Sequence, residues 1–227
     1  MLYQNTRESR PIRPGLVHLD YGPMRSRKTA EAITAAEREA LARGIALTDV
    51  VYLKPSRDTR DSDVRSLSGI ARSCVLLPDT AHQAEQDLQE HLKKPNAVIV
   101  LDEGHFLPLV RRSDGRRASL NLIAQARRYR DLFINAAARG SAIFIAQLDA
   151  DYTRIPFPFS EALLLDPRVH KTARTAVCVR CGRPATLTQC LYELRPAPRS
   201  MPTILPEGEN DRISYEPRCF VCHELPD

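Results

Sequence analysis

A chain of 227 residues is long enough for one sizeable domain with a small appendage. Its 43% hydrophobic and 27% charged residues are ordinary for a soluble globular protein, and no apolar run approaches the roughly 20 residues that cross a bilayer, so a membrane-spanning helix is excluded. The net charge of +5 permits contact with phosphates or nucleic acid but singles out neither, and a mildly basic surface is the readier account of it.

Residues 1 to 15, with Pro11 and Pro14 among Arg and polar side chains, read as an irregular arm. This polar start has no signal-peptide core, so a cytosolic location is expected. Leu16 to Asp20 is apolar-rich and strand-like and runs into Gly22. Lys28-Thr29 then opens a helix-favouring run, Ala30 to Arg43, with Gly44 as its C-cap. Strand, loop and helix in this order are the parts of a P-loop. Backbone N–H groups and the helix N-terminus face the phosphates, a Lys reaches the β and γ groups, and a Ser/Thr hydroxyl takes magnesium. Arg27 occupies the second glycine of the GxxxxGK[ST] pattern. That glycine tends to φ > 0, where another residue costs roughly 1 kcal/mol or more; this weakens a nucleotide site without abolishing it. The plain alternative is a chance match at a strand-to-helix turn.

Asp49 to Lys54 and Ser73 to Leu77 read as strands, the latter burying Cys74 as inert packing, and Asp79 to Lys93 reads as a helix capped near Asp79 or Thr80. Ala97 to Leu101 is a continuous apolar run, the pattern of a strand covered on both faces of a parallel sheet. Asp102-Glu103 follows at once, placing two carboxylates where open α/β sheets bind ligands; in a P-loop protein the first typically holds magnesium through water. The arginine-rich stretch Arg111 to Arg130 reads as a solvated face, its second half lying in a helix over Ser119 to Arg139. Ser141 to Gln147 is a further buried strand. Strands alternating with helices imply a mostly parallel sheet with right-handed crossovers.

From Thr172 the composition changes. Cys178-x-x-Cys181 and Cys219-x-x-Cys222 are two pairs, each suited to one edge of a tetrahedral zinc ion, and without an export signal metal binding is favoured over disulfides. The interval between the pairs exceeds that of a usual zinc ribbon, so metal would close the base of a long loop. Pro196 to Asn210 gives that loop a Pro/Gly-rich, mobile character.

Five blocks in order carry a resemblance. YGPMRSRKTAEAI, LDEGHF, LDADYTRIPF and KTARTAVCVRCGRPATLT are similar to the GPMFSGKT, DEGQF, LDGDFxRxPF and KLTAVCxxCGxxAxxT patterns of the cellular tetrameric type of thymidine kinase, and KPSRDTR, between the first two, is a fifth block of the same resemblance. The resemblance covers Leu16 to His223. It implies a P-loop-like α/β domain over residues 16 to 171 and a small zinc-bearing lasso domain over 172 to 227. It also implies ATP, Mg2+ and structural Zn2+ as cofactors, a deoxynucleoside substrate and a homotetramer.

On matching positions, Gly22, Pro23, Met24, Arg25, Ser26, Arg27, Lys28 and Thr29 would line the triphosphate. Asp102 would hold magnesium, and Asp58, Arg60 and His105 would lie on the same side. Glu103 would be the general base for the 5'-hydroxyl. Met24, Phe106, Leu148, Tyr152, Thr188 and Tyr215 would surround the nucleoside. The departures are Arg27, Arg25, His105, Ala150, Tyr152 and Cys190, with 111 to 130 looking like an insertion. Two readings stand beside a nucleoside kinase: an impaired relative kept for binding or regulation, and a P-loop kinase acting on a modified nucleotide or nucleic acid.

Overall fold

The computed structural model describes residues 13–58, 62–107, 120–202 and 212–226. Most of the expected arm, Arg60, Arg111 to Arg117 and the Thr203 to Asn210 part of the long loop lie outside the described residues.

The strands are β1 (Leu16–Tyr21), β2 (Val51–Pro55), β3 (Asp63–Arg65), β4 (Ala71–Ser73), β5 (Val75–Leu77), β6 (Val98–Asp102), β7 (Ala142–Gln147), β8 (Val169–Ala173), β9 (Ala176–Val177), β10 (Pro184–Ala185), β11 (Leu187–Tyr192), β12 (Arg195–Pro196) and β13 (Ile213–Arg218). The helices are α1 (Lys28–Arg43), α2 (Ala81–Leu92), α3 (Leu120–Ala138) and α4 (Pro158–Leu164). The main sheet has six strands in the order β5-β2-β6-β7-β1-β8, and every pairing in it is parallel.

Strand alternation decides which side chains enter which core. Val17, Leu19, Leu53, Ile99, Leu101, Ile143 and Ile145 point to one face, where Leu88 and Leu92 of α2, Tyr129 and Phe133 of α3, and Phe159 and Leu163 of α4 cover them. Tyr52, Val98, Val100, Ala142, Phe144 and Ala146 point to the other, against Ala32, Ile33, Ala36 and Ala40 of α1. The small residues of α1 recur at helical spacing and let it lie close over β6 and β7. All five residues of β6 and all six of β7 are buried, the double covering read from their unbroken apolar runs.

Two expectations change, and two others hold with added detail. Ser73 to Leu77 is not one strand: β4 closes a hairpin with β3, and only β5 joins the main sheet. Cys74 sits in the break, half-buried, with its thiol reaching the Ser62 carbonyl and burial pushing its pKa up. Thr80 is the N-cap of α2 but makes no side-chain cap bond. Along α3, Arg127 and Arg128 are exposed and Arg128 pairs with Glu85 at 2.6 Å, so the described part of the basic stretch is a solvated, ion-paired face.

Beyond the sheet, β9 and β10 form a short hairpin and β12-β11-β13 an antiparallel sheet. Tyr152, Cys190, Ala197, Ile213 and Tyr215 make a small separate core, with Met24, Tyr192 and Met201 packed against it. A second small cluster consists of Ala176, Cys178, Ala185 and Cys219, with Cys222 alongside.

Candidate active site and metal centre

The carboxyl ends of β1, β7 and β6 lie side by side, and each delivers part of a polar cluster. β1 is followed at once by Gly22, whose φ of +141° favours glycine; a Cβ there would stand 2.2 Å from the Arg174 carbonyl oxygen. The loop then turns through Arg25 (φ 60°) and Arg27 (φ 67°), both left-handed. Arg27 therefore holds the backbone conformation read for this position from sequence. It is the N-cap of α1 without a side-chain cap bond, and its side chain is exposed. An arginine there carries a strain of about 1 kcal/mol that the rest of the loop sustains.

Lys28 is buried, its Nζ donating to the Pro23 carbonyl at 2.7 Å and to Ser26 Oγ at 3.3 Å. It thus curls back over the loop in front of the helix N-terminus, where backbone N–H groups stand without intrahelical partners. Thr29 Oγ1 donates to Asp102 Oδ1 at 2.9 Å. Hydroxyl and carboxylate on adjacent elements form a paired oxygen set of the kind a hard divalent cation takes, so these residues fit Mg2+.

Glu103, immediately after β6, is left-handed with φ 51°. Its Oε2 lies 3.5 Å from His105 Nδ1, and His105 is buried between Phe106 and Phe157, ring centroids 4.1 and 4.7 Å away. The Leu148 N–H approaches the same Nδ1 at 3.4 Å, while the Leu148 carbonyl accepts from Ser160 Oγ at 2.6 Å. Phe106, His105 and Leu148 are thereby one group. Met24, Tyr152 and Tyr215 meet in the small core described above, and the Met24 N–H donates to Thr188 Oγ1 at 3.1 Å. Tyr152 is almost fully buried, its hydroxyl donating to the Met201 carbonyl at 3.0 Å; burial pushes its pKa to about 12.

Three polar residues at these strand ends escaped the sequence reading. Asp149, just past β7, has its carboxyl pKa raised by burial, with the Lys28 charge opposing. Lys54 is buried in β2 and pairs with Asp58 at 3.1 Å, which places Asp58 at the end of that strand. Gln147 is fully buried at the end of β7, and a Cβ on Gly104 would come 2.7 Å from its Oε1. A charged or amide side chain inside an otherwise apolar strand is the signal that could have found Lys54 and Gln147.

The four cysteines Cys178, Cys181, Cys219 and Cys222 converge with their sulfur atoms all within 4.8 Å of one another, Cys181 and Cys219 at 3.6 Å. A tetrahedral thiolate site with metal–sulfur bonds of ~2.3 Å has edges of about 3.8 Å, so the set fits zinc. Burial raises the Cys178 thiol, but the N–H groups of Cys219, Arg180 and Cys181 outweigh it and bring the pKa down to about 6. Cys222 is pushed the other way, to about 12, by its hydrogen bond to Cys181 and by burial. Protons shared this unevenly among close sulfurs are what a bound cation displaces.

The comparisons with known proteins agree with this geometry. The family model for thymidine kinase matches residues 15–223. The chain belongs to the thymidine kinase family. It is 32% identical over 223 residues to a thymidine kinase of Thermococcus kodakarensis, covering 96% of this chain and 99% of that one. It is 30% identical over 211 residues to a thymidine kinase of Roseiflexus castenholzii, covering 92% and 95%. Among the described residues no helix is long and apolar enough to cross a membrane.

Proposed function

We propose that the protein transfers the γ-phosphate of ATP to the 5'-hydroxyl of thymidine or a closely related deoxynucleoside. The observation that carries this reading is the Thr29–Asp102 contact of 2.9 Å, with Lys28 folded in beside it and Glu103 next in sequence. Phosphoryl transfer needs mainly positioning and charge neutralisation, and these residues supply both. The loop from Gly22 to Arg27 presents backbone N–H groups, and Lys28 swings from the Pro23 carbonyl to the β and γ phosphates. Mg2+, held by Thr29 and Asp102, would neutralise charge on the phosphate oxygens. Glu103 accepts the proton of the attacking hydroxyl. Arg25 and Arg27, both exposed at the mouth of the loop, add positive charge where the triphosphate enters.

Met24, Phe106, Leu148, Tyr152, Thr188 and Tyr215 form the nucleoside end, the apolar ones excluding water from the base. Cys178, Cys181, Cys219 and Cys222 would hold Zn2+, whose chemistry here is to cross-link the ends of the long loop. In this reading residues 16 to 171 act as the phosphate-handling domain, 172 to 227 as the nucleoside-closing one, and copies of the chain assemble as a homo-oligomer. Transfer of label from γ-labelled ATP, run against a panel of free nucleosides and DNA ends, tests the proposal. Label on thymidine is the expected result. Label on DNA alone, or ATP hydrolysis with no acceptor, overturns it.

A further inference from the structure

Between the cysteine cluster and the loop after β1 runs a chain of hydrogen bonds that meets at Thr188. His223 directly follows Cys222, and its N–H and that of Cys222 both donate to the Cys219 carbonyl, at 3.0 and 3.1 Å, so the ring's position is set by the cysteine turn. The ring is buried. Its Nε2 lies 3.2 Å from the Thr188 carbonyl, and its Nδ1 lies 3.2 Å from Arg154 Nε and 3.1 Å from Arg154 Nη2. A carbonyl only accepts and a guanidinium only donates, so the ring carries its single proton on Nε2 and offers a bare Nδ1.

Both partners of the ring lead to the nucleoside end. Thr188 receives the Met24 N–H on its hydroxyl. Arg154 stands two residues after Tyr152 in a left-handed turn, and Asp151 Oδ1 pins that turn by accepting from the N–H groups of Thr153 and Ile155. Its guanidinium also covers the exposed Phe220 ring of the cysteine turn at 4.9 Å, and Gln189 and Glu224 exchange two further bonds of 2.8 and 3.1 Å beside the ring.

We propose that His223 is a positioning residue for the nucleoside end of the site. It transmits the ordering of the Cys219–Cys222 turn through Thr188 to Met24, and through Arg154 to the Tyr152 segment. This rests on the nucleoside-kinase reading above. The Thr188 bond is the dominant arm, because it ends on a strand that touches the loop after β1 directly.

Three substitutions separate this role from packing. In His223→Gln the amide nitrogen reaches about where Nε2 sits and restores the bond to Thr188. In His223→Asn the amide oxygen replaces Nδ1 and keeps only the Arg154 bond. His223→Ala removes both. With the full-length metal-loaded protein, His223→Ala is expected to raise the thymidine KM about tenfold, with kcat and the ATP KM within roughly threefold. His223→Gln should recover most of that loss and His223→Asn little. If His223→Ala loses metal, the Gln and Asn forms carry the comparison.

Amide exchange gives a second readout. Chelation should speed exchange at Met24 and in 187–192 of the parent, and in His223→Ala it should add nothing to exchange already fast. Equal impairment in all three variants, tracking Tm, overturns the proposal, as does an effect confined to the ATP KM or additive exchange. A parent that phosphorylates no nucleoside sinks the kinase reading instead, and the exchange experiment still decides the role of His223.

Discussion

The two ends of the candidate site are held by different forces. The proposed phosphate end is mounted on β1, β6 and β7, whose side chains are locked between two apolar cores, so its geometry follows from burial of a continuous sheet. The proposed nucleoside end stands on short antiparallel strands around a core of five residues among those described, with four cysteines at its base. A core of that size contributes little hydrophobic ordering, and a metal held by the four cysteines would add cross-links to it. The contrast teaches where each perturbation should be felt. Strain and charge dominate at the first end, connectivity at the second.

The largest expected effect tests the sheet-mounted end. Glu103→Gln removes the proton acceptor at nearly constant volume and should lower kcat by at least about a hundredfold while leaving Tm and nucleoside affinity nearly unchanged. Turnover within a few-fold of the parent would remove Glu103 from the role of base. Metal removal tests the other end. Purified protein should hold one zinc per chain, and stripping it should weaken thymidine binding by roughly thirtyfold, about 2 kcal/mol of chain ordering, with ATP binding little changed. Calorimetric titration of both ligands into stripped protein checks this, and equal losses for both would erase the distinction between the two ends.

Arg27→Gly probes the strained loop and should act on the first end only. Relief of the left-handed arginine is offset by the greater freedom of glycine in the unfolded chain, so Tm should hardly move. Loss of the exposed guanidinium should weaken ATP binding about tenfold, near 1.4 kcal/mol, as a fluorescent ATP analogue would report. Tighter binding would mean that arginine impairs the loop. The smallest effect concerns pH. Hydrogen bonding from Arg168 holds the Asp166 carboxyl down at about 2 against its ordinary 3.8, with burial opposing. A depressed folded pKa gives stability that is complete above 3.8 and is lost as the pH falls through about 2. Asp166→Asn should therefore flatten the acid limb of the unfolding curve between those values, and an unchanged limb would exclude this pair.

Much of the phosphate end was legible because its signals are local. The unbroken apolar runs of β6 and β7, the helix-favouring run of α1 with its Gly44 cap and the Asp102-Glu103 step sit within a few residues of sequence, and so did the left-handed backbone at Arg27. That conformation is imposed by the turn from β1 into α1, which overrides the preference of the arginine in it. The cysteine pairs were legible for the same reason, their CxxC spacing being the one that suits an edge of a tetrahedral metal site. The β3–β4 hairpin and the edge strand β8 were not, since short half-exposed strands such as Val169–Ala173 carry polar residues at most positions and look like loop. The Arg154–His223 contact and the core around Tyr152 join residues far apart in the chain, and nothing in either local stretch announces its partner.

Gly22 has a second tenant to satisfy. The Arg174 carbonyl lies where its Cβ would be, and the Arg174 N–H donates to the Tyr21 carbonyl at 2.7 Å, so the segment leaving β8 is pressed against the start of the loop. Drift to alanine at this position would pry that segment away and with it the path toward the cysteines, whether or not a nucleotide is ever bound. In a lineage that had abandoned phosphate chemistry, Gly22 would still be retained while Lys28 and Thr29 were free to change, so a surviving glycine here marks a steric lock and the lysine–threonine pair marks the trade.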